Sequence, residues 1–264
     1  MSRGKYGSGH IFMPDNSLLV PAHRQGPGGG AWPISAAAPA AARYDNSAAQ
    51  LWYTMGDAGT PFVNSGAGGV RDLAYDAATS DGEATYGVAG MFPGENAAEF
   101  HLPHGTTKYW DQVDDTAWFG GAVTIWTWIT PADFDAENWS NWLWGRQVFW
   151  GGAEFALFFT LTKKVNLSVN GTTYSTANNV LNYTDPHLIA ATYDGANANI
   201  YVNGVSQGSW ARAAPTSAAT SIWILGCELG QGQRDAIGVI HECGFDDSDF
   251  GAVKLLDMYN MGVP

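Results

Sequence analysis

The sequence has little charge and very few cysteines. Only 14% of its 264 residues are charged, and its two cysteines, Cys227 and Cys243, do not form a CxxC pair. Two thiols are too few for a structural zinc site, and a chain of this length can bury a core without metals or disulfides. If residues 227–243 form a hairpin, the thiols face each other across it. They then either form a disulfide or remain buried free thiols.

Long apolar runs are also missing. The first residues, MSRGKYGSGHIFMPDNSLLVPAHR, contain no continuous apolar stretch of the kind found in signal peptides. No segment approaches the roughly 20 consecutive apolar residues that a membrane-spanning helix needs. We therefore expect a protein made in a cytoplasm, without general export and without a membrane partner.

Positive charge is scarce and unevenly distributed. The formal net charge is −13, yet residues 1–43 contain four basic residues and one acidic residue. The rest of the chain is therefore strongly acidic. Because nucleic-acid binding needs a basic surface, we expect no nucleic-acid partner.

Common catalytic signatures are absent as well. The sequence has no GxSxG, no GxxxxGK[ST] and no HExxH, and its six histidines are scattered. We therefore expect a protein without enzymatic activity.

Glycine and tryptophan, in contrast, are abundant, with 33 and 12 residues. From about residue 50, short apolar and aromatic segments alternate with Gly, Pro, Asn and Asp, as strands and turns do. Asn170-Gly171 and Asn203-Gly204 each separate two such segments and predict tight hairpins. Residues 250–261 could form a short helix. This pattern predicts an all-β, two-sheet antiparallel sandwich over residues 50–264, with Trp126 and Trp128 between the sheets.

Residues 1–49 have a different composition. They contain GPGGGAWP (26–33) and AAAPAAA (36–42), and apolar residues occur in short, separated groups. This pattern predicts an extended N-terminal arm whose apolar side chains enter pockets on another subunit or another copy of the chain; an unattached tail is the other interpretation. The candidate anchors are Ile11, Phe12, Leu18, Leu19 and Trp32.

Several motifs, in order along the chain, resemble one family of β-sandwiches. They are LWYTMGDAGTPFVNSGAG (51–68), GMFPGENAAEFHLP (90–103) followed by AVTIWTWITP (122–131), HLIAATYDGANANIYVNGVSQG (187–208) and GVIHECGFDD (238–247). They are similar to the concanavalin-A-like lectin/glucanase jelly roll, specifically its laminin-G-like branch. The resemblance implies a jelly-roll sandwich from about residue 50 to about residue 262.

The resemblance also bears on catalysis and metal binding. Catalytic members of the superfamily carry Glu-x-Asp-x-x-Glu on one strand, which is missing here. Many laminin-G-like domains hold Ca²⁺, and Asp133, Asp135 and Glu137 offer suitable oxygen ligands. Because this segment has no Gly to form a defined coordination turn, a solvated acidic loop is the favoured alternative. Where the family has Asp before Glu in its closing strand, this chain has His241 before Glu242.

A cluster of tryptophans is the candidate for carbohydrate binding. Exposed rings of Trp139, Trp142 and Trp144 could stack on sugars. The alternative is that these rings pack in the core or in a subunit interface.

Together these features favour a virion structural protein, either a capsid-decoration or a tail-associated component. The arm would attach it to other virion subunits or to its own copies, and the sandwich would be displayed and could bind host-surface glycans. The alternative is a free carbohydrate-binding, lectin-like module.

Overall fold

The computed structural model describes most of the chain after residue 43. The described residues are 44–57, 62–68, 72, 74–75, 84–100, 110–113, 121–132, 140–147, 153–215, 221–224 and 237–262. All of them belong to the larger of two units into which the chain divides, Ala36–Pro264. This part of the chain forms two antiparallel β-sheets and one helix, which confirms the predicted sandwich.

Sheet I contains eight strands. They are β1 (Leu51–Tyr53), β3 (Ala84–Ala89), β4 (Asn96–Phe100), β6 (Val123–Pro131), β11 (His187–Tyr193), β12 (Asn197–Val202), β13 (Val205–Ala211) and β15 (Gly238–Asp246). Seven follow the order β13-β12-β11-β6-β15-β4-β3, and β1 pairs with the far end of β15.

Sheet II contains seven strands. They are β2 (Ala74–Tyr75), β5 (Trp110–Val113), β7 (Ser140–Gln147), β8 (Ala153–Thr160), β9 (Val165–Val169), β10 (Thr172–Ser175) and β14 (Ser221–Ile224). Their order is β10-β9-β8-β7-β14-β5-β2. The single described helix, α1 (Gly251–Gly262), follows β15 and confirms the helix expected near residues 250–261.

The main core lies between the sheets and follows from period-two alternation. On β8, Phe155, Leu157 and Phe159 are buried in this core, while the residues between them face the other side of sheet II. Strand β9 alternates in the same way, with Val165 and Leu167 in the core. Sheet II therefore has one apolar inner face and one outer face of different composition.

The central strands of sheet I, β6 and β11, are buried on both faces, because α1 lies on the outer side of this sheet. Trp126 and Trp128 alternate with the core residues of β6 and join a second apolar cluster that includes Leu255 and Met258 of α1. The Trp128 ring stacks on Tyr259 of the helix with ring centroids 5.9 Å apart. The prediction that these two tryptophans fill the space between the sheets is therefore wrong.

Both predicted hairpins are confirmed, and their turns explain the sequence. Asn170 and Gly171 have φ of 47° and 73°, and Asn203 and Gly204 have φ of 54° and 73°. Positive φ at both central positions is the requirement of a type I′ turn, which Asn-Gly meets with little strain. These turns connect β9 to β10 and β12 to β13.

One edge of the sandwich is closed by contacts between β10 and β13. Tyr174 and Trp210 stack with ring centroids 5.0 Å apart. Next to them, Arg212 Nη2 donates to Thr172 Oγ1 at 2.5 Å and to the Asn170 carbonyl oxygen at 3.4 Å. These contacts join an edge strand of sheet I to an edge strand of sheet II.

Cys243 lies in the main core as a buried free thiol, with its Sγ 3.9 Å from Met55 Sδ. On β15 it pairs with Tyr53 of β1 on one side and with Thr127 of β6 on the other. Both neighbouring positions of Cys243 in the sheet are therefore occupied by β1 and β6. Residue 227 itself lies outside the described residues.

Candidate functional site

The outer face of sheet II carries an unusual combination of aromatic, small and polar residues. On β8 and β9, the residues that alternate with the core are Ala156, Phe158, Asn166 and Ser168. In a sheet whose outer face is fully solvated, these positions would be polar and exposed. Here Asn166 is 4% exposed and Ser168 is 6% exposed. We call the outward-facing positions of β7–β10, together with Lys164, the outer patch.

The central row of the outer patch combines aromatic residues with an amide. In register across the sheet stand Trp142 on β7, Phe158 on β8, Asn166 on β9 and Ser175 on β10. Ser175 Oγ donates to Asn166 Oδ1 at 2.6 Å, which orients the amide. Among the described residues, no acceptor receives a hydrogen bond from Asn166 Nδ2. Asn166 Nδ2 is not among the fully buried unpaired atoms of the described residues, so this oriented amide donor can bond to water or to a ligand.

The next row has small side chains at its centre. It consists of Gly145 on β7, Ala156 on β8, Ser168 on β9 and Thr173 on β10. Trp223 on β14 is in register with Gly145. Because Gly145, Ala156 and Ser168 have small side chains, this row of the outer patch projects less from the sheet than the central row does. Phe158 of the central row packs against Ala156. The Ser168 hydroxyl also has no hydrogen-bond partner in the described part of the chain.

The end row places a cation beside the amide. The carbonyl oxygen of Lys164 accepts a hydrogen bond from Thr160 N at 3.1 Å, so these two residues continue the β8–β9 pairing by one position. Lys164 precedes Asn166 by two residues and therefore belongs to the same face. The preceding Lys163 is engaged elsewhere, because its Nζ lies 4.3 Å from the centre of the Tyr183 ring.

The structure separates the three tryptophans proposed for carbohydrate binding. Trp144 is 1% exposed in the main core, where its Nε1 donates to the Trp126 carbonyl oxygen and to Thr127 Oγ1, both at 3.0 Å. Its predicted role as a sugar-stacking ring is therefore wrong. A β-bulge between Trp142 and Trp144 causes this, because it reverses the alternation of β7. Trp142 stands in the central row, and Trp139 lies outside the described residues.

Other predicted site residues fall outside the described part of the chain. These are the candidate calcium ligands Asp133, Asp135 and Glu137, and the arm residues Ile11, Phe12, Leu18, Leu19 and Trp32. Within the residues that the structure does describe, no group of three or more His, Cys, Asp and Glu side chains is arranged to hold a metal ion. In that same part of the chain, no helix is long and apolar enough to cross a membrane.

A second polar cluster lies on the outer face of sheet I, where a β-bulge falls between Ile240 and Glu242. His241 Nδ1 accepts from Met91 N at 3.2 Å, and its Nε2 lies 2.9 Å from Thr130 Oγ1. Burial lowers the pKa of His241 to about 4, so the ring is neutral at neutral pH. Nδ1 is therefore the acceptor, and Nε2 carries the proton and donates to the Thr130 hydroxyl.

Glu242 ties the segment before β1 to sheet I. Its Oε1 accepts from Asn46 Nδ2 at 3.1 Å and from Trp126 Nε1 at 3.0 Å, and all three side chains are buried. The chain therefore leaves the sheet at a fixed point near Tyr44, whose ring lies 5.9 Å from Lys254 Nζ of α1. This cluster holds the fold together and offers no open surface for a ligand.

Sequence reasoning missed Phe158, Asn166 and Ser168. Their signal was the alternation within AEFALFFT and VNLSV, where every second residue is a large apolar one. The amide and hydroxyl of β9 stand on the alternate positions. The pattern indicates their face, but only the register of four strands brings them next to the aromatic positions.

No family model and no curated protein matches the sequence. Solved structures show the same fold at low sequence identity. A sialidase of Trypanosoma rangeli in complex with 2,3-difluorosialic acid superposes with a TM-score of 0.60 at 10% identity, over 81% of this chain and 33% of that chain. A structure of botulinum neurotoxin type C, concerned with its interaction with two ganglioside molecules, gives a TM-score of 0.61 at 10% identity over 83% of this chain and 52% of that one.

The binding domain of botulinum neurotoxin DC, in complex with rat synaptotagmin II, is similar to the same degree, with a TM-score of 0.61 and 10% identity over 82% of this chain and 52% of that one. This chain thus spans about a third of the sialidase and about half of the toxin chains. At these identities the likeness establishes the fold, a lectin-like β-sandwich, and supports that part of the predicted resemblance.

Proposed function

We propose that this protein is a carbohydrate-binding β-sandwich module whose ligand contacts the outer patch of sheet II. The observation that carries the proposal is Asn166, a side chain that is oriented by Ser175 and presents, beside Phe158, an amide donor without an acceptor among the described residues. An aromatic ring next to a fixed amide and hydroxyls suits a saccharide, whose C–H faces pack on rings and whose oxygens accept hydrogen bonds. Of the structurally similar proteins, the sialidase is in complex with 2,3-difluorosialic acid and botulinum neurotoxin type C interacts with two ganglioside molecules, which supports this proposal.

Binding rather than hydrolysis is the proposed activity. Glycoside hydrolysis requires two carboxyl groups held at a fixed separation around the scissile bond. The outward positions of the outer patch contain one residue with a carboxyl group, Glu154 of β8, and therefore not the required pair. The other outward positions of β8–β10 are occupied by apolar, amide and hydroxyl residues. Release of free sugar from any glycan that the purified protein binds would contradict this part of the proposal.

The test is a glycan-array screen of the full-length protein and of the Asn166→Ala and Ser168→Ala variants. Ser209→Ala, an exposed serine on β13 of sheet I, is the matched control. We expect binding to a defined set of glycans that the control retains and that each patch variant loses by about tenfold, the magnitude of one buried hydrogen bond. Failure to bind any glycan, or equal binding by all four proteins, would overturn the proposal.

A second candidate function is attachment of the sandwich to a larger assembly through residues 1–43, and a virion is the assembly that we propose. The supporting observation is the buried link between Asn46 and Glu242, which fixes the point at which the chain reaches sheet I. Light scattering of the full chain and of a chain lacking residues 1–43 tests this. A defined oligomer that becomes monomeric on truncation supports the proposal, and two monomers refute self-assembly through these residues.

A further inference from the structure

The donor groups of the outer patch indicate which class of saccharide it takes. Asn166 and Ser168 occupy successive outward positions of β9, and Lys164 lies immediately before this strand at the preceding position of the same alternation, with about 7 Å between neighbours. A lysine ammonium group and an amide nitrogen only donate, while the serine hydroxyl can donate or accept. The side chains aligned along this strand are therefore rich in donors.

Among the described residues, no acceptor takes up the donor groups of these three side chains. Asn166 uses its oxygen to accept from Ser175, which leaves the amide nitrogen directed to other acceptors. Within the described residues, Lys164 Nζ and Ser168 Oγ form no hydrogen bond, and no carboxylate pairs with the lysine. The chain has 25 acidic residues against 12 basic ones, so a lysine without an acidic partner stands out from its surroundings.

We propose that the outer patch binds an anionic saccharide, with the ligand's carboxylate or sulfate at Lys164 and Asn166 and a sugar hydroxyl at Ser168. This inference rests on the proposed carbohydrate-binding function and adds the charge of the ligand. An oxyanion offers several acceptor lone pairs to the two donors, and a charge-assisted hydrogen bond is stronger than a neutral one. The aromatic position in register with Asn166, Phe158, then borders the sugar ring.

The experiment compares matched ligands on the full-length protein by isothermal titration calorimetry. The probes are 3′-sialyllactose, lactose 3′-sulfate and lactose itself, each measured at 20 mM and 500 mM NaCl. We expect the two anionic probes to bind about fivefold or more tightly than lactose at low salt, with the difference shrinking at high salt. Comparison of the carboxylate and sulfate probes identifies which oxyanion the site prefers.

Two neighbouring lysines supply a matched pair of variants. Lys164→Gln removes the charge from the outer patch, whereas Lys163→Gln removes one charge from a side chain that already lies over the Tyr183 ring. We expect Lys164→Gln to abolish the preference for anionic probes without weakening lactose binding. Lys164→Arg, which keeps the charge, should retain the preference, and Lys163→Gln should leave it unchanged.

The outcomes separate this inference from the proposed function. If lactose and the anionic probes bind equally, or if Lys164→Gln and Lys163→Gln have the same effect, the inference fails while carbohydrate binding stands. If the glycan array and all three probes show no binding, the proposed function itself fails.

Discussion

The buried His241 makes a quantitative prediction about stability and pH. Both ring nitrogens are used in the fold, by Met91 N and by Thr130 Oγ1, and burial holds the pKa of the ring at about 4. In the unfolded chain a histidine has a pKa of about 6.5. Between these two values the unfolded chain binds a proton that the folded chain does not. The free energy of unfolding therefore rises with pH across this window, and it falls as the pH is lowered from about 6.5 towards 4.

The size of the effect follows from the difference between the two pKa values. A gap of about 2.5 pH units corresponds to a loss of about 3 kcal/mol once the pH is below both values. At pH 5.5 the loss relative to pH 7.5 is about 1 kcal/mol. His187 is also buried with a lowered pKa, caused chiefly by desolvation, so the intact protein loses more than His241 alone explains.

Urea unfolding of the wild type and of His241→Asn, followed by tryptophan fluorescence at pH 7.5, 5.5 and 4.5, isolates the contribution of His241. Asparagine can accept from Met91 N with its side-chain oxygen but does not titrate. We expect the variant to be less stable at pH 7.5 and to lose about 1 kcal/mol less than the wild type between pH 7.5 and 5.5. Parallel losses in the two proteins would refute the assignment of a low pKa to this ring.

Two further predictions concern packing and the closed edge of the sandwich. Gly244→Ala should lower the free energy of unfolding by about 3 kcal/mol or more, because a Cβ there would lie 1.9 Å from the Trp126 ring. The control is Gly121→Ala, where a Cβ would meet no atom within 4 Å, and it should change the free energy by less than about 0.5 kcal/mol. Equal effects of the two substitutions in urea unfolding would contradict this prediction. Arg212→Met should lower the free energy of unfolding by about 1 kcal/mol, because the hydrogen bond to Thr172 is lost. A double-mutant cycle with Thr172→Val should give a coupling energy of similar size. If the two substitutions are simply additive, the hydrogen bond contributes nothing to stability.

Those parts of the fold that depend on local chemistry could be predicted from the sequence. Asn170-Gly171 and Asn203-Gly204 require positive φ at two successive residues, and few other pairs adopt that conformation, so the hairpins were visible. The face on which Trp126 and Trp128 lie was not visible. Alternation shows that a strand has two faces, but the second apolar face of β6 has a partner only because α1 returns across sheet I.

The candidate site was harder to predict, because it depends on register and on one bulge. Trp142 and Trp144 are two residues apart and would share a face in a regular strand. The bulge between them leaves Trp142 in register with Phe158 and turns Trp144 into the core. A bulge leaves no reliable mark in a single sequence, so neither the correct tryptophan nor its neighbours on β9 could be selected in advance.

The distribution of burial over the two sheets also bears on where a ligand can bind. The outer face of sheet I is occupied by α1 and by the segment around Asn46, and its polar groups, such as Glu242 and His241, bond to other parts of the chain. On sheet II the polar groups of β9 face outward and, within the described residues, retain unused donors. Neither Asn166 Nδ2 nor Ser168 Oγ is among the fully buried unpaired atoms of the described residues, so each donor is free to bond to water or to a ligand. For this reason we propose sheet II as the ligand-binding face and the region around Asn46 on sheet I as the point of anchoring.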